Sequence, residues 1–217
     1  MQNTDGLDRI ERAMNIEPSR LPEMMADPDW AVRYQVAQRI SLNRLYEMRG
    51  DSNQDVRREV AKRIDSTLLH EMMGDTHWMV RREVAHRIDP SRLPEMMLDK
   101  KVVVRCVVAH RIDLSLLPKI MEDPDWAVRC AVAQRIDPSL LPKMMNDPEW
   151  LVRQEVAKRI GSTRLPEMML DGDLDVRWVV AHKIDDKFVA TMMMREDPLN
   201  TVFEVLRLRV SGNFVTF

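Results

Sequence analysis

Apolar residues recur at every fourth position in short blocks along this chain, and the blocks recur every 24 residues. Val32, Val36 and Ile40 form one block, and Val56, Val60 and Ile64 form the next. Spacing of i, i+4, i+8 places three side chains on one face of an α-helix. Each block lies in a segment of the form D-P-x-W-x-V-R-x-x-V-A-x-R-I, complete in residues 27–40, 123–136 and 147–160. Asp is a good N-cap and Pro suits the first helical position, so the helix is expected to open at Asp-Pro. It should run about 12 residues, roughly 18 Å.

A second segment reads D-P-S-x-L-P-E-M-M, as in residues 89–97, with an inner proline at Pro94, Pro118, Pro142 and Pro166 in successive units. Proline inside a longer α-helix removes a hydrogen bond and clashes with the preceding turn. The pattern therefore predicts a short 3₁₀ helix or series of tight turns. Neither segment alternates with period two, so no β-sheet is expected.

The 24-residue frame starts at Asp27, Asp51, Asp75, Asp99, Asp123, Asp147 and Asp171 and reaches residue 194 without an insertion. In all seven units position one is Asp, six Val, seven Arg, ten Val, eleven Ala and fourteen Ile. Such recurrence is the mark of a solenoid. Residues 3–26 form a weaker copy, keeping Arg9, Ala13, Ile16, Leu21, Met24 and Met25 but placing Asp8 where Val belongs. After Met194 the frame slips by two; Asp197-Pro198, Val202 and Arg209-Val210 then fit, with Arg207 in the alanine column. Atypical end units suit caps. The expectation is one repeat domain over 1–217, with caps at 1–26 and 195–217 around seven repeats at 27–194.

The V-R-x-x-V-A-x-R-I helix, the D-P-S-x-L-P segment and the 24-residue period together resemble the leucine-rich repeat variant family, over about residues 3–210. The resemblance implies an all-α fold, a right-handed solenoid of alternating α- and 3₁₀-helices. Some members carry an N-terminal cysteine cluster that binds a 4Fe–4S centre. This chain has no cysteine before Cys106, so the resemblance extends to the scaffold and not to that cofactor. No cofactor is expected.

Composition narrows the functional classes. The 33 basic and 35 acidic side chains give a net charge of -2, which argues against wholesale nucleic-acid binding but permits a local basic stripe. No run of 18 apolar residues marks a membrane span, and the first residues lack the charged and apolar regions of a signal peptide. With two cysteines and no disulfide framework, the chain reads as cytoplasmic. No H-E-x-x-H motif, P-loop or supported Ser-His-Asp set occurs, and an enzyme is not expected.

The repeated columns read first as structure. Fourteen of the 18 methionines end the short segments, where flexible thioethers fill irregular core space. Trp30, Trp78, Trp126 and Trp150 share one position and suit packing between helices. Asp27, Asp51, Asp75, Asp99, Asp123, Asp147 and Asp171 can form a ladder with Arg33, Arg57, Arg81, Arg105, Arg129, Arg153 and Arg177. The same arginines would be the phosphate track of a nucleic-acid binder, since HEAT-like repeats share V-R-x-x-V-A. That reading ranks second. Cys106 and Cys130 read as free thiols because stacked helices stand too far apart for a disulfide. His86, His110 and His182 are too few for a metal site.

The eighth, ninth and twelfth positions vary, and variation is what a binding surface needs. Candidate partner-binding residues are Tyr34, Arg58, Arg82, Cys106, Val107, His110, Cys130, Ala131, Gln134, Gln154 and Trp178, expected as an exposed stripe with a mild apolar centre. The leading expectation is a non-enzymatic scaffold that binds an unidentified protein or peptide, without a membrane. The chain would be a monomer, or would self-associate weakly through the apolar tail containing Val210, Phe214, Val215 and Phe217.

Overall fold

A computed structural model describes residues 3–196 and 200–211, with side chains from residue 6. Every described element is helical. The chain divides into two compact units, Met1–Ile112 and Asp113–Phe217.

In the first unit α1 (Asn3–Asn15), α2 (Trp30–Arg39), a one-turn α3 (Leu42–Leu45), α4 (Gln54–Arg63), α5 (Trp78–Arg87) and α6 (Val102–Arg111) alternate with 3₁₀ helices at Pro18–Met24, Tyr46–Gly50, Ser66–Met72 and Pro90–Met96. Helices α1, α2, α4, α5 and α6 pack side by side in that order. Each of α2, α4, α5 and α6 also lies against the preceding 3₁₀ helix. The second unit begins with the 3₁₀ helix Leu114–Lys119. It continues with α7 (Trp126–Ala133), α8 (Trp150–Arg159), α9 (Leu174–Lys183), α10 (Asp186–Met193) and α11 (Thr201–Val210), with 3₁₀ helices at Pro138–Met144 and Leu165–Met168.

The core lies between the α layer and the 3₁₀ layer. In the third repeat Val80, Val84, Ala85 and Leu93 are 0% exposed and Ile88 and Met96 nearly so. The same positions are buried in every repeat. Alanine at position eleven lets the next helix approach, because a larger side chain there would meet it directly. Of the paired methionines the first is buried, whereas the second is mostly half-buried.

The α-helices start two residues later than Asp-Pro suggests and are shorter, ten residues in α2 and eight in α7. Position three is the N-cap: Asp29 Oδ1 accepts the Ala31 N–H at 2.9 Å and Asn53 Oδ1 accepts that of Asp55 at 2.7 Å, whereas Lys101 and Glu149 make no such side-chain bond. The position-one Asp instead closes the preceding turn, as where Asp27 Oδ1 accepts the Asp29 N–H at 2.8 Å. In the short segments Asp is the cap, Asp89 accepting the Ser91 N–H at 2.9 Å, with Pro90 opening the 3₁₀ turn.

The 3₁₀ expectation fails in two repeats. The first opens its short segment with α3, and the last replaces it with α10. Both lack the inner proline, having Tyr46 and Ala190 there, so the missing backbone N–H and the ring clash no longer forbid an α turn. Repeat two has His70 at this position and remains 3₁₀. Proline excludes the α-helix; its absence does not impose one.

Candidate binding surface

Within each unit two arginine columns tie repeats to their neighbours. Arg33 donates from Nε to Asp51 Oδ2 at 2.6 Å and from Nη2 to Asp51 Oδ1 at 2.9 Å. Its Nη1 also donates to the Asp27 carbonyl at 2.7 Å, clamping its own N-terminal turn. The same bidentate geometry joins Arg57 to Asp75, Arg81 to Asp99, Arg129 to Asp147 and Arg153 to Asp171. Arg9 lies 3.2 Å from Asp27 in the N-terminal cap, and Arg177 turns to Glu196 at the other end. These pairs are shielded, with the Arg81 and Asp99 side chains 5% and 8% exposed. Burial pushes the Asp75 and Asp99 carboxyls up, but hydrogen bonds from Arg57 and Arg81 and from the His77 and Lys101 N–H groups outweigh it. Both carboxyls sit below the ordinary aspartate range.

The column at position thirteen has a role that was not read from the sequence. Arg87 reaches back to accept-only carbonyls of the previous repeat, donating to Ala61 O at 2.5 Å and Ile64 O at 2.8 Å. Arg39 does so to Ala13 and Ile16, Arg63 to Ala37 and Ile40, and Arg159 to Ala133. Each guanidinium satisfies orphan carbonyls at a helix C-terminus and opposes the negative end of its dipole. Lys183 fills this place in the last repeat, bonding Ala157 O at 2.9 Å, and burial lowers its pKa. The signal was present as an Arg in six of seven units, but its direction needs the three-dimensional stack.

With these columns engaged, the outward helix positions remain. Tyr34, Arg58, Arg82, Cys106, Cys130 and Gln154 are half-buried, His110 and Gln134 are exposed, and Trp178 is 42% exposed. The ninth position departs from expectation. Ala131 is 2% exposed and Val107 half-buried, while Glu59 and Val179 are buried too. At about 100° per residue this position lies beside the Val-Val-Ile face and meets the adjacent helix. Ala131 therefore cannot be part of an exposed stripe. Burial also raises the Cys130 thiol pKa, and neither Cys106 nor Cys130 is in a disulfide.

The tryptophan column is more open than a packing role requires, with Trp30 46% and Trp126 44% exposed. Between α2 and α4 the outward positions enclose a groove of about 270 Å³, lined by Trp30, Ala31, Tyr34, Gln35, Asp55, Arg58 and Lys62. Among the described residues no three His, Cys, Asp or Glu side chains gather as metal ligands would. No helix among them is long and apolar enough to cross a membrane. Val210 is 68% exposed, while Phe214, Val215 and Phe217, and the Asp197-Pro198 pair, lie outside the described residues.

Alternating α- and 3₁₀-helices on an uninterrupted 24-residue frame define a helical solenoid protein. The chain is similar to a solved structure described as a leucine-rich repeat variant with a novel repetitive structural motif. The two share 31% identity with a TM-score of 0.82, over 94% of this chain and 85% of the other. This chain belongs to the leucine-rich repeat variant family. YibA of E. coli matches at 16% identity and a TM-score of 0.55, over 98% of this chain and 97% of that one, which is likeness of fold alone. No family model and no curated protein matches the chain.

Proposed function

We propose that this protein is a non-enzymatic scaffold of the cytoplasm that binds another protein or peptide along the outer face of its α-helices. The carrying observation is the division of labour among columns. The repeated Val, Ala, Ile, Arg and Asp positions are occupied in holding repeats together, whereas the varying positions eight and twelve are half-buried or exposed in every repeat and, between α2 and α4, line a groove. Extended surfaces of this kind are how solenoids bind. A nucleic-acid track along the position-seven arginines has less support, because those guanidinium groups already hold buried carboxylates.

The test is a tagged pull-down from lysate of the source cells, with and without nuclease, using the wild-type chain and a Trp30→Ala/Tyr34→Ala variant with unchanged far-UV CD. The expected result is a stoichiometric protein that survives nuclease and is lost from the variant. Capture of nuclease-sensitive nucleic acid alone, or of nothing, would overturn the reading.

A further inference from the structure

We infer that the groove face of the first unit docks an acidic amphipathic peptide, an inference that rests on the scaffold reading above and names the partner's chemistry. Among the described residues of Met1–Ile112, Arg58 and Arg82 are the arginines that hold no hydrogen bond or ion pair. Both occupy position eight, in adjacent repeats, half-buried on the outer surface of α4 and α5. In a unit that commits its other described arginines to carboxylates or carbonyls, two uncommitted guanidinium groups one repeat apart call for carboxylates from outside. Arg is the residue suited to that task, with a planar fork that matches a carboxylate.

The neighbouring columns supply the other half of the match. Positions eight and twelve of α1, α2, α4 and α5 carry Ile10, Met14, Tyr34, Gln38, then Arg58, Lys62, Arg82 and His86, with no carboxylate among them. Met14 is 48% exposed and Trp30 46%, so an apolar strip on α1 and α2 borders a cationic strip on α4 and α5. The groove between Trp30, Tyr34 and Arg58 spans that border. A helix or extended segment with apolar residues on one edge and Glu or Asp on the other fits both strips. The nearby acids select a peptide over a polyanion. Glu59 is taken by Lys62 at 3.1 Å, but Asp55 and Glu83 stand beside the cationic strip. A phosphate backbone, charged at every step, would run over them, whereas a peptide can place its carboxylates only opposite Arg58 and Arg82.

The experiment uses the full chain and fluorescein-labelled peptides of about 12 residues in fluorescence anisotropy. One peptide arranges Glu and Leu in helical register, a second has Lys for Glu, and a third has Ser for Leu; a single-stranded oligonucleotide of similar length is the fourth probe. The Glu/Leu peptide should bind best. Its affinity should fall about tenfold for each of Arg58→Glu and Arg82→Glu, and should weaken as salt rises. Arg58→Gln and Arg82→Gln serve where charge reversal disturbs the CD spectrum. Equal binding of the Lys peptide, full affinity in the double variant, or preference for the oligonucleotide would overturn the inference. A lysate partner captured equally by wild type and by Arg58→Gln/Arg82→Gln would overturn it while leaving the scaffold reading standing; the absence of any partner would overturn that reading itself.

Discussion

Replacing Arg81 by Met keeps most of a buried stem and removes the guanidinium that joins the third repeat to the fourth. Arg81 makes two hydrogen bonds to Asp99, at 2.6 and 2.9 Å, and one to the Asp75 carbonyl at 2.8 Å. Its partner is 8% exposed, so water cannot fully replace the lost charge. Removing one member of a buried pair costs about 3–5 kcal/mol, against about 0–1 kcal/mol for a surface pair. Asp99→Asn keeps an acceptor for the Lys101 N–H but strands Arg81, and should also destabilise. In the double variant both charges are gone, so the total should fall short of the sum by about 0.5–3 kcal/mol. Urea unfolding followed by far-UV CD measures all four corners of this cycle. Because solenoid stability is a sum of repeat and interface contributions, the loss should also appear as earlier unfolding of the first unit. A cost below about 1 kcal/mol for Arg81→Met, with additive singles, would refute the buried ladder as a structural link.

Further outcomes follow from the same geometry. Acid should destabilise the protein through Asp75 and Asp99: their folded pKa lies below the unfolded value, so their contribution is complete above the ordinary aspartate range and is lost as pH falls through the folded pKa. Urea midpoints across an acid series would show this, and midpoints that stay flat would contradict it. Leu93→Ala empties a fully buried site and should cost about 2–5 kcal/mol, whereas Leu98→Ala, at a site 88% exposed, should change stability by less than about 0.5 kcal/mol. Lys183→Arg restores the fork found in the other repeats and should stabilise by about 0.5–2 kcal/mol, read as a raised melting temperature; a lower one would show that the site is shaped for lysine.

How much was legible in the sequence depends on whether a residue acts within its own repeat or across to the next. Val32, Val36 and Ile40 announce a helix face because their spacing is a local property of the chain. Pro94, Pro118, Pro142 and Pro166 announce 3₁₀ turns because proline removes a backbone donor wherever it stands. Arg87 could be seen to recur but not to point backward, since its acceptors, Ala61 and Ile64, come from the repeat before it. Ala131 was misplaced for the same reason: its position is lateral on an isolated helix and becomes buried only when a neighbour packs beside it.

The sequence by itself therefore determined the period, the all-helical class, the core columns and the family resemblance, because all of these are periodic facts about one chain. The tertiary structure decided which arginines are committed and which stay open. Arg57 and Arg58 are adjacent in sequence and identical in chemistry. One step of about 100° around the helix turns Arg57 onto a shielded aspartate of the next repeat and leaves Arg58 facing a groove.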